Sequence, residues 1–465
     1  MRRWLAAFLV ALMSVTAGCA GREAAQEPTP VNTEAPVAQA PGTTDPDPDG
    51  STDDTGEGGP AGGENRSGAT RPAVATEPVR EEIPGGFRLG PFDGAGQVWW
   101  LSPDKVWVYA KAGDKAHYGI VSLDGGGLRD ALDSENTPFY DRWHFLVSPD
   151  GARAVIYTGK VGPRIFVNRE TGAESHPEGP VFYGSNIFDS WSPDGSHFLM
   201  QSVRTDPVPG FYFLDRDGNP AGSFAEPGYF SHRGVWSPDG TRLAFLSVPM
   251  DLFYPRSPEE WEEPPFGERV GVLDVATGQV TYFSLEGHTF FAQPVWSADG
   301  ARLVAVCGER ITVRNNHPFE EYETTRLRNP RPCLLDLESG TVVPAGDPLE
   351  GDVILTIVGL ADEAVLVAWI RRPDGSGYGW IPLSGGPMVD LHGNWSVEGA
   401  QLAAGGRAVL ATELLPNRLL LYNRQGEAER ILAEGNIQDV GVSPDGRHVA
   451  FYNNGYLTVL QLADE

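Results

Sequence analysis

A four-residue turn, Ser-Pro-Asp-Gly or a close variant, recurs through most of this chain and constrains its fold more than any other feature. Six copies begin at Ser102, Ser148, Ser192, Ser237, Ser297 and Ser443. Proline presets one turn dihedral, aspartate hydrogen-bonds to nearby backbone, and glycine accepts a left-handed conformation. Because such a turn joins two antiparallel strands, we predict a chain built from repeated hairpins.

Two weaker copies of the turn begin at Leu360 and Ala403, in the long gap before the last one. The segment after the second weak copy, Arg407–Ala411, repeats the pattern of Arg447–Phe451. Eight turns at intervals of roughly 40 to 63 residues match the period of a propeller blade. We therefore predict an all-β fold, a β-propeller of four-stranded antiparallel blades. Eight blades are expected, with seven as the alternative if one weak copy is an insertion.

The end of the chain predicts how the propeller closes. After the last turn only two strands follow, at Arg447–Tyr452 and Tyr456–Leu462. The missing fourth strand of this blade is expected to come from Gly86–Phe92, just before the first inner strand. Closure of this kind removes exposed strand edges that would otherwise pair with other chains.

The apolar strand before the turn often ends in tryptophan, as at Trp191, Trp236 and Trp296. The resulting Trp-Ser-Pro-Asp-Gly turn resembles that of the TolB-type propellers, whose blades are similar to WD repeats. The resemblance covers about residues 85–465 and implies a propeller fold. It implies little about activity, because such blades serve envelope scaffolds, propellers associated with peptidases and some lyases. The turn residues are interpreted as structural.

The N-terminus resembles a bacterial lipoprotein leader. Arg2 and Arg3 precede an apolar stretch, Trp4–Val15, that is shorter than the roughly 20 residues of a spanning helix. Thr16-Ala17-Gly18-Cys19 then resembles a lipobox, in which Cys19 is lipidated after removal of residues 1–18. An ordinary signal peptide is the alternative. We expect a protein anchored by lipid alone on the extracytoplasmic side of the cell membrane.

Residues 19–84 are rich in proline, glycine, threonine and acidic residues and contain almost no aromatic side chains. Such a segment cannot bury enough apolar surface to offset its ordering entropy. We therefore predict a disordered tether over 19–84 and the propeller over 85–465.

Two long insertions, at 251–268 and 309–332, separate the second and third strands of neighbouring blades. Such connections leave a propeller on the face opposite the turns, so the insertions should lie side by side. They carry aromatic residues with arginines, which are typical interface anchors. The candidate binding surface comprises Phe253, Tyr254, Trp261, Phe266, Phe319, Tyr322, Arg326 and Arg328. The alternative is that the insertions only pack on each other through Glu to Arg pairs.

Cys307 and Cys333 flank the base of the second insertion, at the end of one predicted strand and the start of the next. In an exported protein this placement favours a disulfide. Two free buried thiols or a metal pair are the alternatives, and no nearby histidine spacing favours metal. We expect no metal and no cofactor.

The formal net charge of −28 restricts the partners. Nucleic acid and anionic lipid surfaces need clusters of Lys and Arg to offset phosphates, so neither is expected to bind. The expected partner of this propeller, taken as a monomer, is an envelope protein or peptide, and cationic peptides, basic protein surfaces or divalent ions suit its charge.

No catalytic residue is assigned, because the folded region contains neither a G-x-S-x-G elbow nor an H-E-x-x-H motif. The expected function is a binding or scaffold module at the cell envelope. One alternative is a carbohydrate lyase or hydrolase with a site at the central channel. That site would use residues near inner strands: Asp189, Glu226, His232 and His288. A second alternative is a sensor lipoprotein that reports the state of the envelope.

Overall fold

A computed structural model describes residues 78–462 except for short segments within that range. The segments left out are 93–95, 113–114, 126–127, 131–144, 158–163, 177–188, 203–209, 251–266, 318–319, 352, 372–374, 392–399 and 412–416. The described residues form an eight-bladed β-propeller, as the turn spacing predicts.

Strands β1 (Val79–Ile83) and β2 (Gly86–Gly90) precede the first blade. Blade 1 comprises β3 (Gln97–Ser102), β4 (Lys105–Ala112), β5 (Lys115–Ser122) and β6 (Arg129–Asp130), and blade 2 comprises β7 (Phe145–Val147), β8 (Arg153–Tyr157), β9 (Arg164–Asn168) and β10 (Glu174–Ser175). Blade 3 comprises β11 (Ser190–Trp191), β12 (His197–Ser202), β13 (Gly210–Asp215) and β14 (Pro220–Phe224), and blade 4 comprises β15 (Tyr229–Trp236), β16 (Arg242–Pro249), β17 (Arg269–Asp274) and β18 (Val280–Phe283).

Blade 5 comprises β19 (Thr289–Trp296), β20 (Arg302–His317), β21 (Glu320–Asp336) and β22 (Thr341–Pro344), and blade 6 comprises β23 (Val353–Leu360), β24 (Ala364–Arg371), β25 (Gly375–Pro382) and β26 (Val389–Leu391). Blade 7 comprises β27 (Gln401–Ala403), β28 (Arg407–Ala411), β29 (Asn417–Tyr422) and β30 (Ala428–Gly435), and blade 8 contains β31 (Ile437–Val442), β32 (His448–Asn453) and β33 (Tyr456–Gln461). Neighbouring strands within a blade are antiparallel and follow chain order from the channel outward.

The predicted closure is confirmed. Strand β2 pairs antiparallel with β33 and supplies the fourth strand of blade 8. Strand β1 then pairs with β2 as a fifth strand, and Arg80 Nη1 donates a hydrogen bond to the Ser122 carbonyl oxygen of blade 1. The sheet therefore starts at Val79, earlier than the predicted boundary at residue 85. The charged segment before Gly85 has the composition of a tether, and only its pairing with β2 gives it a strand conformation.

The recurring turn has the same hydrogen bonds in successive blades. In blade 4, Ser237 Oγ donates to Asp239 Oδ1 at 2.5 Å and accepts from the backbone N of Arg242 at 2.9 Å. Gly240 has a φ of 72° and donates its N–H to the Ser237 carbonyl oxygen. The Ser237 side chain is fully buried. The buried polar groups of the turn form hydrogen bonds with one another. This geometry fits the interpretation of the turn residues as structural.

Tryptophans at the ends of the inner strands pack between blades. Trp236 belongs to an apolar cluster with Leu199 and Phe213 of blade 3, and its ring centroid lies 5.7 Å from that of Phe213 in an edge-on arrangement. Trp296 packs in the same way against residues of blade 4. Each blade thus buries its apolar face against the next, which lets so long a chain share a continuous core.

Candidate functional site

The connections between second and third strands define one face of the propeller, here called the insertion face. Gly267, at the end of the first insertion, pairs with Phe290 of β19 through two backbone hydrogen bonds of 2.7 and 2.8 Å. Phe290 pairs in turn with Cys307 at the base of the second insertion. The bases of the two insertions therefore lie side by side, across neighbouring strands of blades 4 and 5.

The second insertion is a β-hairpin rather than an irregular loop. Strands β20 and β21 stay paired from Glu309↔Arg328 to His317↔Glu320. The inner strand β19 pairs with β20 only as far as Gly308. We call residues 309–328 the blade-5 arm. At about 3.4 Å per residue, its nine-residue strands extend roughly 30 Å beyond the blade. The arm is the largest departure from the repeat among the described residues.

A β-bulge marks the base of the arm. Between the pairs Cys307↔Arg331 and Glu309↔Arg328, Gly308 alone faces two residues of β21. One of these, Asn329, has a φ of 55°. A Cβ atom on Gly308 would lie 2.9 Å from the Arg328 carbonyl oxygen, so only glycine fits there. Bulges bend a strand and increase its twist, and this one sets the direction of the arm relative to the blade.

The predicted disulfide between Cys307 and Cys333 is present at the same base, and both residues are fully buried. The two cysteines are not direct partners across the hairpin. Cys333 pairs with Ala305 and Cys307 with Arg331, so the bridge runs diagonally, with the Cα atoms 5.7 Å apart. It fixes the strands where they leave the blade.

The proposed surface residues are only partly covered by the structure. Phe253, Tyr254, Trp261, Phe266 and Phe319 lie outside the described residues. Tyr322 and Arg326 occupy register positions of the arm opposite Asn315 and Ile311, and Arg328 is exposed at the base of the arm. The binding surface therefore stays a prediction, with the arm as its described part.

A buried ionic cluster lies between blades 2 and 3, where β8 ends, β9 begins and β11 is about to start. Asp189 Oδ2 accepts hydrogen bonds from Arg164 Nε at 2.9 Å, Arg164 Nη2 at 2.7 Å and Tyr157 OH at 3.1 Å. Its Oδ1 accepts from the backbone N of Gln201 at 3.2 Å. Burial raises the pKa of Asp189, an effect that Arg164 opposes. Burial and the Asp189 carboxylate together raise the pKa of Tyr157 well above its usual value.

Glu226 belongs to a second cluster, at the exit of the first insertion. It is paired with Arg269, and its Oε2 accepts a hydrogen bond from Ser247 Oγ at 2.8 Å. The Arg269 guanidinium carbon lies 4.1 Å from the ring centroid of Tyr229 and 3.9 Å from that of Tyr282. These contacts hold Arg269, the first residue of β17 after the insertion, against the rest of blade 4.

The two histidines differ in their surroundings. His232 is buried and stacks on Phe230 with ring centroids 5.2 Å apart, and burial holds its pKa well below the usual value. His288 is partly exposed, and its Nδ1 lies 3.0 Å from the Glu286 carbonyl oxygen. The four residues suggested for a channel enzyme thus differ in burial and in their partners.

Sequence reasoning missed Arg164, Tyr157, Gln201 and Arg233, which complete or border the Asp189 cluster. Arg164 and Tyr157 of blade 2 contact Asp189 of blade 3, and Gln201 of blade 3 contacts Arg233 of blade 4, so no local sequence signal marks these contacts. Within residues 78–462 as described, no group of three or more His, Cys, Asp or Glu side chains is arranged to hold a metal ion. The same residues contain no helix long and apolar enough to cross a membrane.

No family model and no curated protein matches this chain. Dipeptidyl peptidase 4 of Porphyromonas gingivalis is similar over 69% of this chain and 53% of its own, with 14% identity and a TM-score of 0.41. A structure from a study of two prolyl endopeptidases is similar over 76% and 53%, with 14% identity and a TM-score of 0.46. This chain thus spans about half the length of each peptidase.

An oligogalacturonate lyase in complex with manganese is similar over 65% of this chain and 78% of its own, with 15% identity and a TM-score of 0.40. At these identities the likeness to peptidases and lyase concerns the fold alone, and no activity carries over from them.

Proposed function

We propose that this protein is a lipoprotein anchored through Cys19 on the extracytoplasmic side of the cell membrane. Its propeller, of the TolB type, binds a partner protein or peptide at the cell envelope through the insertion face. The observation that carries this proposal is the blade-5 arm, a long hairpin held at its base by the Cys307–Cys333 disulfide.

The form of the arm supports a binding role. An isolated two-stranded hairpin is marginally stable in water, so a projecting ribbon gains from a second surface to pack on. Beyond Gly308 and Cys333, no third strand pairs with the arm among the described residues. Open strand edges accept further strands from partners through main-chain hydrogen bonds. The first insertion beside the arm would enlarge the contact.

Charge favours a partner with a basic surface. The chain carries a formal charge of −28, which attracts cationic surfaces and repels acidic ones. The two acidic residues suggested for channel catalysis, Asp189 and Glu226, are each paired with an arginine. This pairing supports a binding function over catalysis. A sensor lipoprotein would use the same surface and differ only in its partner.

The decisive experiment removes the arm and leaves the blade intact. Residues 309–328 are replaced by Asn-Gly, which favours a tight two-residue hairpin turn, with Cys307 and Cys333 kept. Wild-type and shortened proteins are immobilised, exposed to envelope extract, and the captured species quantified. We expect species enriched by the wild type to fall at least tenfold on the shortened protein, with its thermal unfolding midpoint nearly unchanged. Equal capture by both proteins would refute a binding role for the arm.

A further inference from the structure

The outer edge of the blade-5 arm is open along the arm. Strand β22 pairs with β21 as far as Cys333, and Leu349 N then donates a hydrogen bond to the Pro330 carbonyl oxygen at 3.1 Å. Beyond Pro330, over Glu320–Arg328, no segment in the described part of the chain pairs with this edge. We call Glu320–Arg328 the outer arm strand.

The opposite edge of the arm, formed by β20, has different surroundings. Strand β19 pairs with β20 as far as Gly308, and Gly267 at the exit of the first insertion pairs with Phe290 of β19. The first insertion therefore leaves its blade on the β20 side. Strand β21 lies on the other side of β20, toward the outermost strand β22. The outer arm strand thus lies on the perimeter side of the arm.

Charge is divided within the outer arm strand. Its first half carries Glu320, Glu321 and Glu323, and its second half carries Arg326 and Arg328. Such a strand is complementary to a second copy of itself that runs antiparallel, because each acidic half then meets a basic half. Parallel pairing in register would place glutamates beside glutamates, and like charges directly opposite one another destabilise a sheet.

Strand length selects one antiparallel register. In a two-fold symmetric pair, one residue lies directly opposite its own copy. Pairing over the full outer arm strand puts Thr324 at this centre, because Thr324 is the midpoint of Glu320–Arg328. Glu320 then lies opposite Arg328 of the second copy, and Tyr322 opposite Arg326. Opposite charges, paired threonines and an arginine beside a tyrosine all stabilise such contacts.

The neighbouring symmetric registers lack these pairs. A register centred on Glu323 places that glutamate against its own copy, and one centred on Thr325 places no glutamate opposite an arginine. Length and charge therefore favour the same register, the one centred on Thr324.

The β20 edge offers no equivalent pairing. Glu309 is the one acidic residue of β20 within the arm, and the arginines there are Arg310 and Arg314. Side chains alternate between the two faces of a strand, so a two-fold axis perpendicular to the sheet joins only residues whose numbers differ by an even number. Glu309 differs from both arginines by an odd number. No symmetric register of β20 therefore pairs opposite charges of this kind.

We propose that this protein forms a symmetric dimer in which the outer arm strands of two copies pair antiparallel, centred on Thr324. The two arms then form a four-stranded sheet, and an isolated two-stranded hairpin is only marginally stable in water. The dimer differs from the monomer expected from the sequence. It does not depend on the proposed envelope partner, and the β20 edge and the first insertion stay open to that partner.

The first test measures self-association of the full chain in detergent solution by sedimentation. The wild type should form dimers reversibly as its concentration rises. Glu320→Arg and Arg328→Glu should each weaken dimerisation by about tenfold or more, because symmetry turns two attractive pairs into two repulsive ones. Glu429→Arg makes the same charge change at an exposed residue of β30 in blade 7 and is the matched control. It should dimerise as the wild type does.

Rescue by a second charge change identifies the register. The double variant, Glu320→Arg with Arg328→Glu, exchanges the two charges and should dimerise nearly as well as the wild type. A mixture of the two single variants should form heterodimers, because one copy then carries two arginines and the other two glutamates at the paired positions. Within the arm, residues 320 and 328 still face His317 and Glu309, as in the single variants, so rescue reports contact between molecules.

Crosslinking of the full chain in its own membrane tests the centre of the register. Thr324→Cys places a cysteine opposite its own copy, and mild oxidation should give a dimer that reducing agents dissociate. Thr312→Cys is the matched control, because Thr312 lies on β20 opposite Thr325 and so belongs to the other edge of the arm. It should remain monomeric under the same oxidation.

The dimer proposal is overturned by a wild type that sediments as a monomer at every concentration, or by dimers that Glu320→Arg leaves unchanged. Weakened single variants without rescue by exchange or mixing would also overturn it, as would equal crosslinking through Thr324→Cys and Thr312→Cys. Each variant is first checked for cooperative thermal unfolding. Should a charge variant fail this check, the two cysteine variants carry the test.

Failure of the dimer can be told apart from failure of the proposed function. A monomeric wild type that still captures envelope species through the arm would remove the dimer alone. A dimeric wild type whose capture of envelope species is unchanged by shortening the arm would refute the binding role alone.

Discussion

Cys307 and Cys333 are joined diagonally across the blade-5 hairpin, with Arg331 and Ala305 as their respective partners in register. The bridge closes a segment of 26 residues that contains the whole arm. In the chain-entropy description, closing such a segment stabilises the fold by roughly 3.5 kcal/mol. Such links form and persist mainly in oxidising compartments.

We predict that the Cys307→Ala, Cys333→Ala variant loses up to about 3.5 kcal/mol of unfolding free energy, measured by denaturant titration. In protein carrying Cys19→Ala and made in an oxidising compartment, thiol titration of the unfolded, unreduced chain should detect no thiol. Two reactive thiols would show that the bridge does not form in the cell.

The Asp189–Arg164 pair should be structural. Asp189→Asn removes the carboxylate that pairs with the buried Arg164 guanidinium and should cost about 3 to 5 kcal/mol of stability. A double variant, Arg164→Met with Asp189→Leu, should recover much of that loss because no charge then remains buried. Denaturant unfolding of both proteins measures the difference. If Asp189→Asn is as stable as the wild type, Asp189 is free for another role, and the enzyme alternative gains support.

The insertion face and the blade core should respond differently to the loss of tryptophan. Trp236→Ala empties a packed site between blades 3 and 4 and should cost roughly 3 to 5 kcal/mol of folding stability. Trp261→Ala and Tyr322→Ala should weaken partner binding by about 1 to 4 kcal/mol while the thermal midpoint changes little. Calorimetric unfolding measures the loss of stability, and a binding titration with the captured partner measures the loss of affinity. If Trp261→Ala destabilises the fold as much as Trp236→Ala, the insertion is a packing element.

Anchoring should depend on Cys19 alone. Cys19→Ala removes the site for the acyl chains and should move the protein from the membrane to the soluble fraction. Cell fractionation followed by a high-salt wash measures the distribution. A variant that still pellets with membranes would contradict the lipoprotein assignment. An Ala20→Ser variant, which keeps the cysteine, serves as the control and should stay in the membrane fraction.

Much of the fold could be read from local patterns. The turn beginning at Ser237 repeats because its serine, aspartate and glycine satisfy one another within six residues, so the motif carries its own conformation. The spacing of these turns predicted eight blades with seven as the alternative, and the structure has eight. The predicted donor strand at Gly86 pairs with β33. The cysteine pair was also predictable, because both residues flank one hairpin.

The structure of the candidate site was harder to predict from local sequence patterns. The second insertion contains enough charged and polar residues to suggest a loop, yet β20 and β21 continue through it because their backbones pair with each other. Strand pairing depends on where both chain segments lie, and no single stretch of sequence specifies it. The diagonal placement of the disulfide depends on the same register.

The sequence by itself determined the repeat, the closure of the ring and the positions of both insertions, since these depend on turns and on alternation within a few residues. Only the tertiary structure decided which side chains meet across blades. Arg164 reaches Asp189 and Gln201 contacts Arg233 because successive blades are rotated about a common channel. Alternation along a strand tells which face a residue occupies, but the neighbour on that face is set by the geometry of the whole ring.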